Sequence, residues 1–297
     1  MPIFNRGLRI LLGLALAFAS VSARAAATSY SYALLGDAGE WNSLGASVEK
    51  SARDAHVLDG ILIGDNLYVG TYDQQWTPWF RDGFRFPVVA IGNHHGGYAE
   101  EMRYFKMPAE AYTTWIAPGV AAIVLNSDNV ATADAQAKFL EKELRTLRAE
   151  SIFVVYHHPM LTLSAAHSWK EREAFHRAVR PILYKYRKRL SAILNGHDHV
   201  AGAFSFGDLP VFLSGAIKEA FPFRSVNGMQ ENIRVKTEWA YRGRPTWGKL
   251  TVHPHSREST IEFIEANPTR SICHVRVRTG EWLYLGDDCY RPIRGRR

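Results

Sequence analysis

The sequence predicts an α/β fold, or an α+β variant of it, built in layers. Three observations carry this. Short apolar runs alternate with amphipathic stretches as far as residue 199. From residue 200 onward the pattern turns to short strands. Five of the early apolar runs end in a tight polar cluster. Strands alternating with helices and then a run of strands imply layers, because each apolar face must be covered by another element.

The elements follow in order. Tyr32–Leu35 reads as a strand that ends in Gly36-Asp37-Ala38-Gly39, and residues 43–56 read as a helix. Leu58–Ile63 is a second strand, ending in Gly64-Asp65-Asn66. Pro87–Ile91 is a third, ending in Gly92-Asn93-His94-His95, and Ala121–Leu125 is another. Thr132–Arg148 is an amphipathic helix with Phe139, Leu140, Leu144 and Leu147 on one side and charges on the other. Ile152–Tyr156 is a strand ending in His157-His158-Pro159. Residues 168–189 are mainly helical and strongly basic. Ser191–Leu194 is a strand ending in Asn195-Gly196-His197-Asp198-His199. Later strands are expected at Val211–Leu213, Lys249–His253, Thr260–Glu265 and Cys273–Arg278. Residues 223–246, rich in Gly, Arg, Asn and other polar residues, are expected to form a long loop. There is no internal repeat, low-complexity stretch or interdomain linker, so residues 26–297 are expected to form a single domain.

The chain has 297 residues and a formal charge of +7, a balance that invites a nucleic-acid partner. The location of the charge argues against one. Residues 1–25 contain three arginines and no acid, residues 291–297 contain four arginines, and the remainder is neutral. Arg6 and Arg9 precede the apolar run Ile10–Ala19, and Ala23 and Ala25 follow two apart. A positive start, a short apolar region and an A-x-A pattern describe a secretory signal peptide over residues 1–25, cleaved after Ala25 or Ala27. The run is about half the ~20 residues that a membrane span needs. The expectation is a periplasmic or secreted protein with no stable membrane anchor after cleavage. Cys273 and Cys289 are the only cysteines. In an oxidising compartment a lone pair is most simply a disulfide.

The chemistry sits at the strand ends. Asp37, Asp65 with Tyr68, Asn93 with His94, His157, and His197 with His199 each follow a short apolar strand. The carboxyl ends of strands are where sites form in layered α/β folds. Any one of these clusters is weak evidence, but five in succession are not an accident of composition. Asp, Asn and His are oxygen and nitrogen donors suited to Fe, Zn or Mn. A shared carboxylate can hold two cations about 3.5–4 Å apart. Tyr68 is the unusual member. A phenol with pKa near 10 is a poor ligand for a divalent ion. A trivalent ion lowers that pKa enough for a phenolate bond, so Tyr68 argues for Fe(III).

At these residues the chain resembles the calcineurin-like metallophosphoesterases, and within them the purple acid phosphatase branch of the small, tartrate-resistant type. The five blocks read Gly36-Asp37-Ala38-Gly39, Gly64-Asp65-Asn66-Leu67-Tyr68, Gly92-Asn93-His94-His95, Val154-Val155-Tyr156-His157 and Gly196-His197-Asp198-His199, in the family's order. The resemblance spans roughly residues 30–265 and extends to Leu213-Ser214-Gly215-Ala216 and to Ile261–Ala266. It implies a four-layer αββα sandwich. It gives Asp37, Asp65, Tyr68 and His199 to an Fe(III) site. Asp65, Asn93, His157 and His197 would hold a divalent Fe, Zn or Mn, with Asp65 bridging. His94 would contact the substrate phosphate or leaving group. His167, ten residues after His157, lies close to a second substrate-side histidine of the family, by a looser match.

Three features depart from the family pattern. His95 stands where Asp or Glu is usual, and a solvated side chain is the simplest reading of it. His158 follows His157 and could exchange roles with it, although the Val-x-x-His spacing favours His157. The segment between the tyrosine block and Gly92 is short, so a lid found in many members is expected to be missing. The implied activity is hydrolysis of a small phosphate monoester by a metal-bound hydroxide, with His94 or His167 as general acid. A phosphodiesterase or nucleotide hydrolase on the same metals is the alternative. A binding protein on an inactive copy of the fold would have lost ligands, and none is lost. For nucleic acid only the basic 170–189 stretch remains, which reads more simply as a solvated face.

Overall fold

In the computed structural model, residues 29–290 are described, apart from 216, 219, 220, 223, 231, 242 and 244. The expected signal peptide, the C-terminal arginines and Ala216 lie outside the described residues. The elements are β1 (Tyr30–Leu35), α1 (Ser43–Asp54), β2 (Asp59–Ile63), α2 (Tyr72–Arg81), β3 (Arg85–Ala90), α3 (Tyr98–Phe105), β4 (Tyr112–Ala117), β5 (Val120–Val124), α4 (Ala133–Thr146), β6 (Ser151–Val155), α5 (Glu173–Lys185), β7 (Ala192–Asn195), β8 (Ala201–Phe206) and β9 (Leu209–Ser214). Then come β10 (Asn227–Gln230), β11 (Ile233–Tyr241), β12 (Thr246–Val252), β13 (Glu258–Ala266), β14 (Thr269–Arg278) and β15 (Glu281–Leu285).

The strands form two sheets. One runs β15-β14-β13-β12-β1-β2-β3 and the other β10-β11-β8-β9-β7-β6-β5-β4. Each contains a parallel half: β1, β2 and β3 in the first, β5, β6, β7 and β9 in the second. The parallel strands are continuous apolar runs, as burial on both faces requires. Three apolar clusters define the layers. Leu34, Ile61, Val88, Phe153, Leu194 and Phe263 fill the space between the sheets. Leu140 and Leu144 of α4 and Phe175, Val179 and Leu183 of α5 cover the outer face of the second sheet. Val48 and Ala52 of α1 and Trp76 and Trp79 of α2 cover the outer face of the first. Helix, sheet, sheet, helix is the expected four-layer sandwich.

The helices are set by their ends. Asn42 caps α1 by accepting from the Leu44 and Gly45 amides at 2.8 and 3.2 Å. Thr71 and Gln74 close a capping box on α2. That helix occupies the short stretch between the tyrosine block and Gly92. Its apolar side is aromatic, and Pro78 lies within it.

Residues 223–246 are not a loop. They hold β10, β11 and the start of β12. On β11, Val235, Trp239 and Tyr241 are buried. A register shift in its pairing lies between Thr237 and Trp239, and the alternate positions carry Arg234, Lys236 and Glu238, which is why the strand reads as polar. The basic 168–189 stretch is a short 3₁₀ turn (Trp169–Arg172), α5 and a second 3₁₀ turn (Arg187–Arg189). It is not wholly a solvated face. Arg180 is buried, with its guanidinium 4.9 Å from the Trp169 ring centroid.

Cys273 and Cys289 form a disulfide across 16 positions, tying β14 to the turn that follows β15. Both sulfurs lie in the core cluster between the sheets. Replacing both cysteines by serine is expected to lower the unfolding free energy by about 3 kcal/mol. Urea unfolding of the oxidised protein and the double variant checks this.

Candidate metal centre

The donors come from five strand ends, three in one sheet and two in the other. Asp37 follows β1, Asp65 and Tyr68 follow β2, and Asn93 follows β3. His157 follows β6, and His197 and His199 follow β7. Backbone hydrogen bonds sew these turns together across the two sheets. The Gly36 amide donates to Ser214 O at 2.8 Å, the Gly196 amide to His157 O at 3.0 Å and the Tyr68 amide to Gly39 O at 2.9 Å. Two glycines are needed for sterics. A Cβ on Gly92 would lie 2.2 Å from the Asp65 amide nitrogen. One on Gly64, whose φ is +87°, would lie 2.5 Å from His157 Nδ1.

Four of the donors have left-handed backbones: Asp37 at φ 59°, Asp65 at 56°, His197 at 69° and His199 at 50°. Such residues cost about 1–3 kcal/mol each and persist where the surroundings over-determine them. Here the determinants are visible. The His197 amide donates to Asp37 Oδ2 at 2.9 Å. The His94 amide donates to Asp65 Oδ1 at 2.9 Å.

Asp37 and Asp65 are 1% and 2% exposed. The Tyr68 hydroxyl sits between them, donating to Asp65 Oδ2 at 2.7 Å and Asp37 Oδ1 at 3.1 Å, and lies 3.2 Å from His199 Nε2. His199 Nε2 is 3.5 Å from Asp37 Oδ1. His157 gives Nδ1–H to Ile63 O at 2.8 Å, which turns Nε2 toward the carboxylates. That nitrogen lies 3.1 Å from Asp65 Oδ1 and 4.0 Å from Asp37 Oδ1. The 3.1 Å approach is off the hydrogen-bonding line, so Nε2 is buried with a charge contact and no hydrogen bond.

The electrostatics follow. Burial and the neighbouring Asp37 and Asp65 carboxylates push the Tyr68 phenol far up, so it is a protonated donor here. A cation among the same carboxylates would reverse the sign of that field. Burial would raise Asp65, but the charge and contact of His157 overcome it and hold the carboxyl down. Burial lowers His197, against the opposing hydrogen bond of Glu171.

The donor set fits cations by two further observations. Asn93 Oδ1 is buried with no hydrogen-bond partner. One donor atom each of Asp37, Asp65 and His157 falls within a 4.8 Å cluster, and so does one each of His157, His158 and His197. His158 is therefore a neighbour of the centre rather than a bystander. It is pinned by Ser127, with Nδ1 at 2.9 Å from Oγ, and its Nε2 is buried without a partner.

The remaining sequence-derived residues also gather here. His94 is exposed, with its ring 4.4 Å from that of Tyr68. The His167 ring is 4.0 Å from that of His197. Phe221 stacks on His199 at 4.6 Å. Lys218 Nζ stands 3.2 Å from the Tyr68 ring centroid and 3.3 Å from Glu40 Oε2. His95 is not simply solvated: Nε2 lies 3.4 Å from Asp128 Oδ2. Sequence motifs missed Glu171, whose Oε2 is 3.1 Å from His197 Nε2. Its one signal is the capping-box pattern Ser168-x-x-Glu171.

Two predictions follow from this geometry. Chelator-treated protein is expected to gain thermal stability on adding Zn²⁺ or Mn²⁺, about 2.7 kcal/mol at a hundredfold excess over Kd. Asp65→Asn should lose most of that gain in the same melting experiment. Asp128 is half-buried, which would raise it, but hydrogen bonds from His95, Tyr98 and Arg172 hold it at about 2. Its contribution to stability is complete above its ordinary value of about 3.9 and is lost as pH falls toward 2. Asp128→Asn should flatten the acid limb of the stability curve over that window.

Solved structures share this architecture. GAP50, the anchor in the inner membrane complex of Plasmodium, matches with a TM-score of 0.65 at 14% identity, over 84% of this chain and 89% of that one. A dimetal phosphatase from Danio rerio matches with a TM-score of 0.56 at 11% identity, over 84% and 99%. PhoD matches with a TM-score of 0.58 at 12% identity, over 86% and 71%. No family model and no curated protein matches the chain. At these identities the likeness is one of architecture: the chain shares the fold of that dimetal phosphatase and of PhoD.

Proposed function

We propose that the protein is a dinuclear-metal phosphatase that hydrolyses small phosphate monoesters outside the cytoplasm. The observation that carries this is the convergence of Asp37, Asp65, Tyr68, His157 and His199 on one buried point, with Asn93 Oδ1 buried and unpaired beside the same turns. The likeness to a dimetal phosphatase and to PhoD supports the same reading.

Asp37, Asp65, Tyr68 and His199 would hold Fe(III), and Asp65, Asn93, His157 and His197 a divalent Fe, Zn or Mn. Two such ions supply Lewis acidity toward phosphate oxygens and a water acidic enough to be nucleophilic near neutral pH. The chain's own residues do the rest. The His94 amide and Tyr68 lock Asp65 between the two donor groups. The exposed His94 imidazole stands at the mouth beside Tyr68, placed to bind a phosphate oxygen. His167, against His197, delivers a proton to the leaving oxygen. Phe221 packs over His199 and limits water access from that side.

Export is part of the proposal. It rests on the N-terminal sequence and agrees with the disulfide. Among the described residues no helix is long and apolar enough to cross a membrane. The protein exported from its host should begin at Ala26 or Thr28 on N-terminal sequencing.

Four measurements test the chemistry. Matched phosphate monoesters and diesters should favour the monoester, and a preference for the diester would make the protein a phosphodiesterase or nucleotide hydrolase. GAP50 is described as an anchor, and fewer than one metal per chain after iron supplementation would favour a binding role here too. The iron-loaded protein should be coloured by a phenolate-to-iron band that Tyr68→Phe bleaches. A colourless, active enzyme with two divalent ions would remove the iron and keep the phosphatase. His167→Ala should lower kcat about 10²-fold for esters with poor leaving groups, and far less for a nitrophenyl ester, whose oxygen needs no proton.

A further inference from the structure

Glu171 lies in the short turn Trp169–Arg172, and its carboxylate reaches two ways. Oε2 is 3.1 Å from His197 Nε2. Oε1 is 3.5 Å from His167 Nδ1 and accepts from the Ser168 amide at 2.7 Å. A neutral imidazole carries one N–H and one lone pair, and the partner of one nitrogen decides where the proton sits. A carboxylate on Nε2 fixes the proton there and leaves the Nδ1 lone pair for a cation.

The Ser168 amide holds the carboxylate, and the turn that carries it is anchored on both sides. Ser168 and Glu171 form a capping box. Arg172, the next residue, donates to Asp128 Oδ1 at 2.5 and 3.2 Å. Trp169 packs against the buried Arg180 guanidinium, which also donates to Met160 O at 2.9 Å.

We propose that Glu171 is a positioning residue for the divalent half of the centre, holding His197 in its Nε2–H form and docking His167 beside it. This rests on the dinuclear reading above. Carboxylates in this position raise ligand basicity, and losing one typically costs 10–100-fold in metal affinity.

The test is zinc uptake by the full chain. Wild type, Glu171→Ala and Glu171→Gln are stripped with chelator and dialysed to equilibrium against graded free Zn²⁺, and zinc per chain is counted. Wild type should take up two ions. Glu171→Ala should keep one at unchanged affinity and bind the other 10–100-fold more weakly. Glu171→Gln, which retains an acceptor oxygen, should recover most of the loss. The unchanged ion reports that the fold is intact. Two ions at wild-type affinity in Glu171→Ala would overturn the role, and so would equal weakening of both. A wild-type protein that fails to take up two ions overturns the dinuclear reading instead, and the role of Glu171 with it.

Discussion

Two buried carboxylates set the terms for the rest of the molecule. Asp37 and Asp65 sit at the ends of adjacent parallel strands, shielded from water and close to each other. An unpaired buried charge costs several kcal/mol, and the left-handed turns that aim these side chains add to that. The fold offsets both with donors brought from elsewhere. Amides of the β3 and β7 turns, the Tyr68 hydroxyl and the His157 ring all converge on them. The offset is incomplete in electrostatic terms. The Tyr68 phenol is pushed up by burial and by the negative charge around it, and Asn93 Oδ1 and His157 Nε2 stay without hydrogen bonds. Cations satisfy every one of these conditions together.

The part of the fold that bears the site was legible in the sequence, for a physical reason. Parallel strands buried on both faces read as unbroken apolar runs, and the close approach behind each turn demands glycine. Gly64 and Gly92 announce Asp65 and Asn93 in this way. What stayed hidden was structure held by tertiary contact. The strand around Val235 and Trp239 interleaves its buried residues with Arg234, Lys236 and Glu238, so it reads as polar. The helix around Trp76 contains a proline and packs through large aromatic rings. Arg180 lies in a stretch that reads as solvated, yet it is buried against Trp169. Glu171 belongs to a capping box and to no metal-binding motif, and its proximity to His197 exists only once the chain has turned back on itself.

The molecule divides its labour between its parallel and antiparallel parts. The parallel strands supply every donor. The antiparallel wing β12–β15 supplies none, but it extends the first sheet beyond β1 and is closed by the Cys273–Cys289 bond.

The centre belongs to neither sheet. Three turns come from one and two from the other, and they meet at a rim where Gly36 already bonds to Ser214. An ion held there would tie the two sheets together at their rim, because Asp37 and Asp65 come from one sheet and His157 from the other.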